Sequence, residues 1–100
     1  MKFRPLEKAR TIIKDATGLD IMYAYDDLVF PDYGAFILQF DDSNEQRFNC
    51  YFNVECEEFE LSRIFHRLEQ ICKLNKLSLK SKGKFNFEQK EEQVEIHFLP

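Results

Sequence analysis

Phe36, Leu38 and Phe40 alternate with Ala35, Ile37 and Gln39, and Phe48, Cys50 and Phe52 alternate with Arg47, Asn49, Tyr51 and Asn53. Two runs with a side-chain period of two are strands that each bury one face. Between them Asp41-Asp42-Ser43-Asn44-Glu45 is turn chemistry, because short polar side chains bond their own backbone there. A register follows, with Phe40 opposite Phe48, Leu38 opposite Cys50 and Phe36 opposite Phe52. The same register sets Asp41 against Arg47 and Ile37 against Tyr51, so both faces of the hairpin agree on it.

The segment upstream is less regular. Leu28 and Phe30 are expected in phase with Phe36 and Leu38, with Pro31-Asp32-Tyr33-Gly34 as the turn. Ile21, Tyr23 and Tyr25 have the opposite parity. A bulge near Asp26-Asp27 would swap the phase within one strand; a strand beginning at Asp27 is the alternative.

Period two returns at the C-terminal end, where Leu77, Leu79, Phe85, Phe87, Val94, Ile96 and Phe98 are read as inward. Ser81-Lys82-Gly83 fits a three-residue hairpin loop that pairs Leu79 with Phe85. Lys90-Glu91 would turn a second hairpin pairing Phe87 with Val94 and Phe85 with Ile96. One long strand from Lys76 to Gln89 is the competing reading.

Two segments have helical spacing. From Pro5 to Thr17, Leu6, Ala9, Ile13 and Ala16 recur at steps of three and four, and Ile12 widens the stripe. Pro5 suits the first helical position and Gly18 the left-handed residue after the end. From Glu55 to Asn75 the stripe is Leu61, Ile64, Phe65, Leu68, Ile71 and Cys72. Glu57, Glu58 and Glu60 at its start and Lys73 and Lys76 at its end suit the helix dipole.

The expectation is one compact α+β domain over residues 1–100, order α-β-β-β-α-β-β with a further strand if the tail forms two hairpins. Both helices would cover one face of a mainly antiparallel sheet. This order, in a small acidic protein, resembles the topology of the type III secretion chaperones. No pattern for their final helix follows and no motif matches, so neither function nor residues carry over.

Eleven Phe and four Tyr in 100 residues supply a core, and 32% charged residues keep the surface wet. No apolar run approaches the roughly 20 residues that span a bilayer, and Met1-Lys2-Phe3-Arg4-Pro5 does not read as a secretory signal. Three cysteines, Cys50, Cys56 and Cys72, form no CxxC pair, and an odd count fits reduced thiols in a cytosol. The net charge of −4 is uneven. Residues 1–19 hold five basic and two acidic groups, residues 20–62 one and eleven, and residues 63–100 eight and five.

No phosphate-binding glycine loop, metalloprotease, nucleophile-elbow or calcium-loop motif is present. His66 and His97 have no local ligand partner, so a metal site is not expected. Cys56 lies near a helix start, yet Glu55, Glu57 and Glu58 oppose thiolate formation. Asp41 to Glu45 reads as a hydrated hairpin tip, and Asp26, Asp27 and Asp32 have no partner base. Lys73, Lys76, Lys80, Lys82, Lys84 and Lys90 form a basic stretch that reads first as protection of edge strands.

No catalytic residue, cofactor or metal is assigned. The leading expectation is a cytoplasmic protein-interaction or adaptor domain, partnered by another protein or by a second copy of itself through the open sheet face or a sheet edge. Ile37, Tyr51, His97 and Leu99 are its candidate contact surface. One alternative is a small-ligand-binding domain or enzyme with an acidic cleft. Another is weak anion or nucleic-acid binding through the lysine-rich tail.

Overall fold

The computed structural model describes residues 5–99; the reading of the first residues as no secretory signal lies, for Met1 to Arg4, outside them. The chain runs α1 (Leu6–Thr17), β1 (Ile21–Tyr25), β2 (Leu28–Pro31), a 3-10 turn (Asp32–Gly34), β3 (Phe36–Phe40), β4 (Arg47–Asn53), α2 (Glu58–Leu74), β5 (Ser78–Lys90) and β6 (Gln93–Leu99). The strands form one six-stranded sheet in chain order. All neighbours are antiparallel except β4 and β5, which are parallel because α2 carries the chain back between them. The α+β class and the single helix-covered face are as expected from the sequence.

Pro5 sits just before α1, and Gly18 closes it at φ 78°, donating its N–H to the Lys14 carbonyl at 2.8 Å. The stripe of Ala9, Ile12, Ile13 and Ala16 is buried. The second helix begins at Glu58 rather than Glu55, because Asn53 holds a turn ahead of it. Asn53 Oδ1 accepts the Glu55 N–H at 2.9 Å and its carbonyl accepts the Cys56 N–H at 2.9 Å. At the far end Lys76 takes a left-handed φ of 60°, and Leu77 donates to the Cys72 carbonyl at 2.8 Å.

The core lies between the two helices and one sheet face: Val29, Phe36, Leu38, Phe48, Cys50 and Phe52 meet Ile12, Ile13, Leu68 and Cys72. The β3–β4 register is the one the alternation dictates on both faces. Truncating the fully buried Leu68 would cost about 2–5 kcal/mol, the usual range for such a deletion. Among the described residues no helix is long and apolar enough to cross a membrane.

Three expectations need correction. First, four strands precede α2, not three, so the order departs from the one that resembled type III secretion chaperones. Asp26-Asp27 is a two-residue hairpin loop, with Tyr25 opposite Leu28 and Asp26 at φ 55°. The bulge lies instead between Ile21 and Tyr23. Second, Val29 pairs with Leu38 and faces the helices, so Leu28 and Phe30 point away from the core.

Third, the C-terminal segment follows the long-strand alternative, with a single hairpin, but its apolar residues do not all face inward. Cys50 stands opposite Ser81 and Tyr51 opposite Gly83, which leaves Lys82 as an extra residue. Every later side chain is thereby moved to the other face. Phe85, Phe87, Val94, Ile96 and Phe98 therefore lie on the helix-free face. The β5–β6 loop is Glu91-Glu92, pairing Phe87 with Ile96 and Phe85 with Phe98.

Candidate protein-contact face

Cross-strand partners share a face, so the register lays out the helix-free side in rows. One row runs Tyr25, Leu28, Gln39, Asn49, Lys80 across β1 to β5. In the next, Tyr23 stands opposite Phe30 on β1 and β2, and Ile37, Tyr51 and Gly83 follow one another across β3, β4 and β5. Beyond these, Asn53 is opposite Phe85, Phe85 opposite Phe98, and Phe87 opposite Ile96. Outside the bulge, the strand positions facing this way carry only two charges, Arg47 and Lys80. Arg47 is neutralised by Asp41 at 2.7 Å.

Aromatic rings dominate what remains. Tyr23 stacks on Tyr25 with centroids 6.4 Å apart and meets Phe30 at 5.8 Å. Tyr51 meets Phe98 at 4.6 Å, and Phe85 meets Phe87 edge-on at 5.2 Å. Ile37 and Phe85 are 1% and 0% exposed although no helix covers them, so this side has a small apolar centre of its own. Around it Tyr23, Tyr25, Phe87, Val94 and Phe98 remain exposed.

A polar cluster is set into the same face. Gln39 Nε2 donates to Asp27 Oδ2 at 2.8 Å, and Gln39 Oε1 accepts from Asn49 Nδ2 at 3.2 Å and from the Tyr51 hydroxyl at 3.4 Å. Partial burial, with the Asp27 charge adding to it, pushes the Tyr51 phenol above its ordinary pKa. Asn49, 5% exposed, keeps its Oδ1 without a hydrogen-bond partner among the described residues.

The structure divides the four residues singled out in the sequence. Ile37 and Tyr51 stand side by side on the helix-free face. His97 and Leu99 do not join them, because they pair with Asn86 and Lys84, whose parity after the bulge is that of the helix side. There His97 Nε2 lies 3.0 Å from Glu88 Oε2, and Lys84 Nζ reaches Glu58 on α2 at 3.0 Å. The sequence reading missed Tyr23, Tyr25, Phe30, Phe87 and Phe98 as part of the open face. For Tyr23, Tyr25 and Phe30 the one signal was the apolar residues on both parities of β1 and β2; Phe87 and Phe98, apolar on a single parity, left none.

The acidic depression lies elsewhere, between the 3-10 turn and the start of α2. It holds about 270 Å³ and is lined by Glu55, Cys56, Glu57 and Glu60, with Tyr33 at its rim. Burial, with the charges of Glu60 and Glu58, pushes the Cys56 thiol up, which keeps it protonated and a poor nucleophile near neutral pH. Among the described residues no three His, Cys, Asp or Glu side chains gather as metal ligands.

No protein-family model, no curated protein and no solved structure matches this chain.

Proposed function

We propose that this chain is a protein-interaction domain that docks its partner on the helix-free face of the sheet. The observation that carries the reading is the composition of that face. In a chain with 32% charged residues, it presents half-exposed Tyr and Phe rings with almost no charge among them. Depletion of charge with enrichment in aromatics marks the buried centre of protein–protein contacts. Half-exposed rings arranged in rows also exceed the scattered apolar residues of an ordinary surface.

A cytoplasmic location belongs to the same proposal, supported by three free thiols, two of them in the core. The nucleic-acid reading is weaker, because Lys84 is held by Glu58 and Phe85 is fully buried, which removes both a cation and a stacking ring. The acidic-cleft reading is weaker as well, because the thiol in that depression, Cys56, is pushed up and stays protonated.

The test is Tyr51→Asp, which places a charge at the centre of the face. The variant is compared with the unaltered chain for self-association and for capture of protein partners, after its urea midpoint confirms folding. Loss of association in the folded variant supports the proposal. Equal association by both chains overturns it.

A further inference from the structure

Resting on that reading, we infer that the partner is a second copy of this chain, docked face to face about a two-fold axis running along the strands between β3 and β4. The argument is charge complementarity within one row. At the β2 end the Asp27 carboxylate lies on the face, held by Gln39 at 2.8 Å. At the other end, opposite Asn49 on β5, stands the exposed Lys80. Three strand spacings, about 14 Å, separate β2 from β5, too far for these two charges to pair within one chain. Among the described residues neither is in an ion pair, whereas Arg47, the third charge here, is already matched.

A rotation about an axis parallel to the strands exchanges left and right and keeps height. It lays β2 of one copy over β5 of the other, so that Asp27 meets Lys80 of the second copy, twice by symmetry. The same rotation sets the half-buried Tyr51 at the centre, over β3 of the second copy, with the buried Ile37 beneath the contact. It carries the exposed Tyr23 and the half-buried Phe30 over toward the exposed Phe98 of the second copy, joining rings from opposite ends of the sheet. An axis across the strands would instead keep β5 over β5, leaving Lys80 over apolar Phe85 and Phe87 and Asp27 without a cation. Two sheets stacked with strands nearly aligned also fit the usual packing of twisted sheets, within about 30°.

The experiment is sedimentation equilibrium of the full chain and five variants over a concentration series, with folding checked by circular dichroism. The unaltered chain is expected at twice the 12.0 kDa chain mass. Asp27→Lys and Lys80→Asp should each raise the dimer dissociation constant about tenfold or more, since like charges then face each other. The double reversal should return it to within about threefold, because the pair is restored across the interface. Asp27→Asn, which still accepts from Gln39, should weaken the dimer less than Asp27→Lys. A dimer broken by Tyr51→Asp but indifferent to both reversals, or not rescued by the double reversal, overturns this axis and leaves the face reading standing. A monomer at every concentration overturns the second copy as partner, while partner capture still tests the face. A dimer indifferent to Tyr51→Asp and to the reversals overturns both.

Discussion

The rings of Tyr51 and Phe98 lie 4.6 Å apart, although β4 and β6 are not neighbours in the sheet. The strand between them is β5, and the residue it sets beside Tyr51 is Gly83, which offers no side chain. The glycine therefore does two things at once. It takes φ 144°, a conformation closed to most L residues, directly after the extra Lys82, and it leaves room for a ring contact over the strand.

Gly83→Ala is accordingly expected to destabilise the fold by about 1–3 kcal/mol, from backbone strain alone. Gly83→Val adds the loss of space over β5 and should cost more. Urea unfolding of the two variants against the unaltered chain checks the order; an Ala variant of unchanged midpoint contradicts it.

The bulge also explains what was legible in the sequence and what was not. The β3–β4 hairpin could be read because both of its faces constrain the register, Phe against Phe on one and Ile37 against Tyr51 on the other, with the Asp41–Arg47 ion pair at its end. The helices could be read from their stripes. Across Lys82 the apolar residues stay on one parity while the backbone changes face, so a pattern of period two carries no mark of the flip. At the other end of the sheet, Tyr23, Tyr25 and Phe30 are apolar on the open face while Val29 is apolar on the core face, which erases the alternation that parity needs. The Asp26-Asp27 loop has no glycine to announce it; an aspartate takes the left-handed position instead. The candidate face inherited these errors. Ile37 and Tyr51, on the well-constrained hairpin, were placed on the open side, and His97 and Leu99, beyond the bulge, were not on it.

Two phenylalanines one pleat apart should differ sharply. Phe85 is fully buried on the side that no helix covers, while Phe87 is 44% exposed. Phe85→Ala should cost about 3–5 kcal/mol, the range for a buried ring, and Phe87→Ala a minor part of that. Comparing their denaturant midpoints at a concentration where the chain is monomeric isolates the folding term from association. Equal costs would show that the helix-free side has no centre of its own.

The thiols should separate by environment. Burial drives the Cys50 thiol far above its usual pKa and pushes Cys72 up to about 11, with the Glu69 charge adding to the latter. Cys56, partly exposed among Glu60 and Glu58, is raised as well. A thiol-reactive dye at pH 7 should label Cys56 slowly and leave Cys50 and Cys72 untouched until denaturant is added, when all three react. Fast labelling of Cys56 in the folded chain would revive it as a nucleophile in the acidic depression.

The hairpin tip supplies a pH dependence with a definite sign. Asp41 accepts from the Ser43 hydroxyl at 2.6 Å, from Arg47 Nε at 2.7 Å and from the Ser43 N–H at 2.9 Å. These bonds favour the charged form and hold its carboxyl well below the ordinary carboxylate value. A group whose pKa is lower in the folded state contributes stability that is complete above its unfolded value, near 3.9, and is lost as pH falls through the folded one. Asp41→Ala should therefore lower the urea midpoint at pH 7. The gap between variant and unaltered chain should narrow as the pH is taken below about 4, because the unaltered chain then begins to lose what the variant already lacks. A gap that stays constant from pH 7 to pH 2 would mean that the hairpin needs Asp41 for its shape and not for its charge.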